Sequence, residues 1–196
     1  MNLKRLSPYK GIALFFVLLL GAHFLWKLFV DGDLHSQQIA IFGMDVTPWF
    51  YRLSQQTAGM IHWFVCLFPN KQQFMIDDTH LYFAESGTIL NIIWGCTGIK
   101  QLYVFLVIML LYPGPWKKKC VFIPVGCIVL QAYNIFRIAC IAWLTETHPE
   151  RFDSLHDGVF RYLYYGLILL MWIIWEERFR RKPQAEQSET INTDTI

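Results

Sequence analysis

Hydrophobic positions run through this chain in long blocks, with the polar residues gathered between them. The first block, 11–30, follows Lys4, Arg5 and Lys10 and is long enough to cross a hydrocarbon core of roughly 30 Å. No small-x-small cleavage site follows it, so the block predicts a membrane anchor, with Lys27 near its far end snorkelling outward. Three further blocks, about 97–112, 120–144 and 158–175, predict three more spans.

Between the first two spans the pattern changes. Trp49, Leu53, Met60, Ile61, Phe64 and Phe68 keep helical spacing against Arg52, Gln55 and Gln56. That spacing predicts an amphipathic helix over 48–68 lying on or dipping into the membrane, with Thr47 as N-cap, Pro48 at the first helical position and Pro69 as the stop. The runs 74–77, 81–84 and 88–94 are short and β-prone, separated by Asp77-Asp78 and Ser86-Gly87, and predict a small meander. The expected fold is an all-α membrane protein: about four transmembrane helices, one interfacial helix and a small β-prone external segment. It forms one domain over 1–182, and the polar residues 183–196, without aromatics, have the composition of a disordered cytoplasmic tail.

Composition agrees, since 55% of the 196 residues are hydrophobic and only 16% charged, too apolar for an ordinary soluble domain. The net charge of +2 carries little; its distribution carries more. Basic residues cluster at the N-terminus, at 117–119 and at 178–182, in groups of 3, 3 and 4, which assigns all three to the cytoplasm. Cys96 and the 145–157 loop then face outward. If the 48–68 helix alone spanned, Cys96 would move inside and the triple lysine outside, so the interfacial placement is the consistent one. The basic residues form no aromatic-interleaved face, which argues against nucleic acid as a partner. The five cysteines include no CxxC pair, which disfavours a disulfide framework or a thiol-redox enzyme. There is no H-E-x-x-H, G-x-G-D or G-x-S-G, and neither a metal nor a cofactor is expected.

The candidate chemistry centres on the stretch 91–101, where Cys96 stands between Gly95 and Gly98 ahead of an apolar run. A thiol at a helix mouth is favoured as thiolate by the exposed N–H groups there, and small neighbours permit close approach. Arg137 lies inside an otherwise apolar helix, where an arginine at mid-span costs roughly 2.5–3.5 kcal/mol and calls for a polar cavity or a partner. Asn134, three residues earlier, and Gln131 extend a polar stripe inward. His156 opens the last span, with His148 as its rival in the same loop beside Pro149. Cys96 precedes Pro113 by 17 residues, Arg137 follows Lys119 by 18, and His156 precedes Glu176 by 20. At roughly 1.5 Å per helical residue these are heights of about 25, 27 and 30 Å above the cytoplasmic ends. All three therefore meet near the outer edge of the membrane core.

C-T-G at 96–98, N-I-F-R at 134–137 and H-D-G at 156–158, in that order on successive helices, resemble the exosortase/archaeosortase family. The likeness runs from about Thr88 to Trp175 and is that of a compact bacterial subtype. It implies a membrane-embedded cysteine protease or transpeptidase at the external face of the bacterial cytoplasmic membrane. Its partners would be the lipid bilayer and secreted proteins whose C-terminal signal is a short motif, a transmembrane helix and a basic cluster. Cys96 would be the nucleophile, Arg137 the oxyanion or thiolate partner and His156 the proton carrier, with Asn134, Thr97 and Gly98 in support. Two other readings compete with it. One is a non-catalytic assembly factor or transporter component in which Arg137 and Asn134 join helices; the other is a membrane acyltransferase using His156.

Overall fold

The computed structural model describes residues 8–31, 38–68, 74–83, 87–147 and 160–181. Among these the chain is mostly helical. The helices are α1 (Pro8–Phe29), α2 (Thr47–Cys66), α3 (Ile99–Leu111), α4 (Trp116–Thr147) and α5 (Phe160–Trp175), and a π-helical turn, Glu176–Arg181, continues α5. Two helical stretches, Lys10–Phe29 and Trp116–Leu144, are long and apolar enough to cross a membrane, while α3 is apolar but has only 13 residues.

Where the chain cannot continue a helix, the reason is local. Pro113 and Pro115 bracket Gly114, whose close approach to the Trp175 indole leaves no room for a side chain: a Cβ would stand 2.6 Å from the ring. Trp175 also donates its indole N–H to the Pro113 carbonyl at 3.3 Å. The basic residues that follow this break, 117–119, are not uniformly solvated. Lys119 is buried, and its ammonium donates to the carbonyls of Leu110 (2.9 Å) and Tyr112 (2.6 Å) at the end of α3. A cation there satisfies carbonyls that a helix end leaves unpaired and meets the negative end of its dipole. α4 accordingly begins at Trp116, because lysines sustain a helix as well as apolar residues do. On its other side Tyr112 donates to the buried Glu176 carboxylate at 2.8 Å. The main core lies here, with Phe105, Ile108, Tyr112, Trp172 and Trp175 between α3, α4 and α5, and Phe15 of α1 against Trp172.

The β-prone stretch forms a three-stranded antiparallel sheet, β4 (Phe74–Asp77), β5 (His80–Phe83) and β6 (Ile89–Asn91), in the order β4-β5-β6. Leu81 and Phe83 bury one face against α2. Asp78, in the left-handed region at φ 58, makes the turn, and its carboxylate accepts from Gln55 at 2.5 Å and from the Tyr51 hydroxyl, tying the hairpin to α2. A second small sheet was not legible: β1 (Val30–Asp31), β2 (Ala40–Ile41) and β3 (Met44–Asp45), in that order, have two residues each, too few to show alternation. Thr47 is not the N-cap expected. Val46 takes that position, while the Thr47 hydroxyl and then its N–H, the latter donating at 2.9 Å, hold the Asp45 carboxyl below its usual range. Pro69 and the tail 183–196 lie outside the described residues.

Candidate active site

Cys96 sits in a single 3₁₀ turn, Trp94–Thr97, wedged between the sheet and α3. Ile92, just after β6, is pinned by its N–H to the Thr79 carbonyl at 2.9 Å, and the Cys96 N–H closes the turn on the Ile93 carbonyl at 2.9 Å. Thr97 donates its hydroxyl back to the Trp94 carbonyl at 2.6 Å. Gly98 then reverses the chain at φ 76. An L-residue in that region is strained, and a Cβ here would stand 3.1 Å from Asn134 Cγ and from the Tyr164 hydroxyl, so glycine is required twice over. The close approach that Gly98 permits is that of two side chains, Asn134 and Tyr164.

Cys96 therefore stands two residues ahead of the α3 N-cap, Gly98, and it is burial that dominates its surroundings. It lies, at 9% exposure, among Ala58 and Ile61 of α2, Ile92, and Ile138 and Ala142 of α4. Burial pushes the Cys96 thiol up from its ordinary value, and the Arg137 guanidinium draws it back down without cancelling that effect. At rest the group is a thiol rather than a thiolate.

The polar stripe of α4 meets this turn. Asn134, fully buried, donates its amide to the Cys96 carbonyl at 2.8 Å, which fixes the turn to the helix. Arg137, 4% exposed, lies one turn farther along α4, and its charge acts on Cys96, Tyr133 and Tyr164. Thus Cys96, Thr97, Gly98, Asn134 and Arg137 come together. His156 and its rival His148 lie outside the described residues.

Tyr164 of α5 escaped the sequence reading. It is fully buried, donates to the Leu130 carbonyl at 3.1 Å, and stands edge-on to Tyr133 with ring centres 5.3 Å apart. The tyrosines at 162, 164 and 165 look alike in sequence; Tyr162 is exposed, and only packing distinguishes them. A thiol–imidazole contact was also missed: Cys66 Sγ lies 3.6 Å from His62 Nε2, one turn apart on the exposed end of α2. All five cysteines are free thiols. Among the described residues no three histidine, cysteine or acidic side chains gather as metal ligands.

The chain matches the family model described as Transmembrane exosortase (Exosortase_EpsH) over residues 11–173. No curated protein and no solved structure matches it.

Proposed function

This chain belongs to the transmembrane exosortase family, and from that premise we propose that it is a membrane-embedded cysteine protease or transpeptidase, cutting the C-terminal sorting signal of secreted proteins through a thioester on Cys96. The observation that carries the proposal is the union of a buried arginine with a buried thiol whose backbone is held by Asn134. An arginine in an apolar helix is costly unless it is used, and Arg137 exerts its charge on Cys96.

The chemistry follows from these groups. His156, in the role carried from the family motif, takes the proton from the Cys96 thiol, because burial leaves that thiol protonated at rest. The sulfur pair forms an S–C bond to the scissile carbonyl, whose π electrons move to its oxygen. Arg137 cannot lose its proton at working pH and offers planar donors to that oxyanion. Collapse of the tetrahedral adduct breaks the C–N bond, and His156 returns its proton to the leaving amine. Water or an amine then attacks the thioester and regenerates the thiol.

In the proposed arrangement α1, α3, α4 and α5 span a bacterial cytoplasmic membrane, α2 lies at its outer surface, and Cys96 faces outward. His80→Cys and Lys118→Cys, each in a background without native reactive thiols, test the topology. An impermeant maleimide should label position 80 in intact cells and position 118 only after permeabilisation; the reverse pattern would refute the arrangement. The activity itself is tested on the C-termini of secreted proteins from the same cell. Anchors should be missing only when the chain is intact, and identical C-termini with and without it would end the proposal.

The burial of Cys96 favours one other reading, a non-catalytic membrane component in which Arg137 and Asn134 serve helix packing. The two readings part on the behaviour of the Cys96 thiol, taken up in the Discussion.

A further inference from the structure

Beside the Cys96 turn, α2, α3 and α4 enclose a cavity of about 340 Å³, within the size range of ligand pockets, roughly 300–1,000 Å³. Thr97, peptide-bonded to Cys96, forms part of its wall, together with Thr57, Met60, Leu102, Ile128 and Gln131. Leu102 follows Cys96 by six residues and Gln131 precedes Arg137 by six. In the proposed topology both lie on the cytoplasmic side of the site, Gln131 by about 9 Å along α4 from Arg137 at roughly 1.5 Å per residue. Met60 and Ile128 are exposed, so the cavity is not sealed from the surroundings of the helices. The wall is apolar apart from a few groups. Thr57 spends its hydroxyl on the Leu53 carbonyl at 2.8 Å, whereas Gln131 Oε1 is buried with no partner among the described residues.

We propose that this cavity receives the apolar side chains that follow the scissile bond of the substrate, with the Gln131 side chain turning its buried, unpartnered Oε1 outward to accept a backbone N–H of that segment. The inference rests on the proposed cleavage of a C-terminally anchored protein. In such a substrate, the residues after the cut lead down into the membrane, the direction in which the cavity extends from Cys96. A lipid acyl chain would fill the space but has no donor, and a buried acceptor left unmet costs about 1–3 kcal/mol. A peptide brings both the apolar group and the N–H.

The test uses the full-length protein in membranes and a set of substrates carrying Leu, Phe or Ala at the three positions after the cut. Wild-type protein should cleave the Leu and Phe substrates about tenfold faster than the Ala substrate, the discrimination a hydrophobic pocket gives. Ile128→Trp, at an exposed position tolerant of change, should narrow the mouth and abolish or invert that preference. Gln131→Leu should raise KM about tenfold for every substrate while leaving kcat near wild type. A preference and a KM unchanged in both variants, with Cys96→Ser still inactive, would overturn the pocket and leave the proposed function standing. Cleavage by Cys96→Ser at the wild-type rate would instead remove the function, and the pocket's role with it. Labelling of Met60 by a diazirine fatty acid that substrate does not displace would identify lipid as the occupant and also overturn the proposal.

Discussion

Cys96→Ser should insert and accumulate normally yet lose cleavage almost completely, by a factor on the order of 10³ or more. The substitution changes little volume at a site packed by Ala58, Ile61, Ile138 and Ala142, so the fold has no reason to fail. The nucleophile does. A serine hydroxyl stays protonated near neutral pH, and no lone arginine brings it within reach of a histidine base as readily as a thiol. Wild-type protein quenched in acid during turnover should carry substrate on Cys96 as an adduct that hydroxylamine releases, and His156→Ala should lower its yield. Cys66, Cys120, Cys127 and Cys140, each changed singly to Ala, should leave cleavage largely intact. Because burial holds the thiol protonated at rest, alkylation of Cys96 should be slow at neutral pH and rise steeply above it, as the pKa is passed. A wild-type rate in Cys96→Ser would end the catalytic reading, and the helix-packing reading would account better for Arg137.

Arg137→Lys should likewise reach normal levels while losing about 10²- to 10³-fold in kcat, the loss typical when one oxyanion donor is removed. Lysine keeps the charge, so the ion-in-membrane cost and any simple packing role are preserved; what goes is the planar fork of donors. KM should move much less than kcat, because the oxyanion exists only after attack. Normal turnover in Arg137→Lys would show that an oriented guanidinium is unnecessary. Disappearance of Arg137→Ala from the membrane, with Arg137→Lys fully active, would assign the residue to helix assembly.

How far the sequence reached differs between the fold and the site. Long apolar blocks gave helices α1, α4 and α5 within a few residues, because burial and length dominate there. Boundaries slipped where another force won. Lys117–Lys119 look like a loop by hydropathy but are helical by propensity, and Lys119 is drawn inward by two free carbonyls. The β1–β3 sheet is held by backbone pairing over two-residue strands and has no pattern to read. At the site, Arg137 announced itself by being out of place in an apolar helix, and Asn134 by lying on its face. Tyr164 could not, since its importance arises from a contact with Gly98 that exists only in three dimensions. The reading of Cys96 as a thiol at a helix mouth found its place just ahead of α3 but not its burial, which raises the thiol and which no local pattern shows.

The shortness of α3 has a consequence for the lipid around it. Its 13 residues cover about 20 Å at roughly 1.5 Å per residue, some 10 Å less than a typical hydrocarbon core. A bilayer meets such a mismatch by thinning locally or by letting the polar end sink below its surface. Under the proposed topology, either response is felt first at the Cys96 turn, which precedes this helix on its outer side. On the proposed mechanism, acyl-chain length then becomes a variable of the reaction. Thin membranes should bathe a thioester on Cys96 in water and favour hydrolysis; thick ones should screen it from water and give the advantage to an amine carried within the membrane.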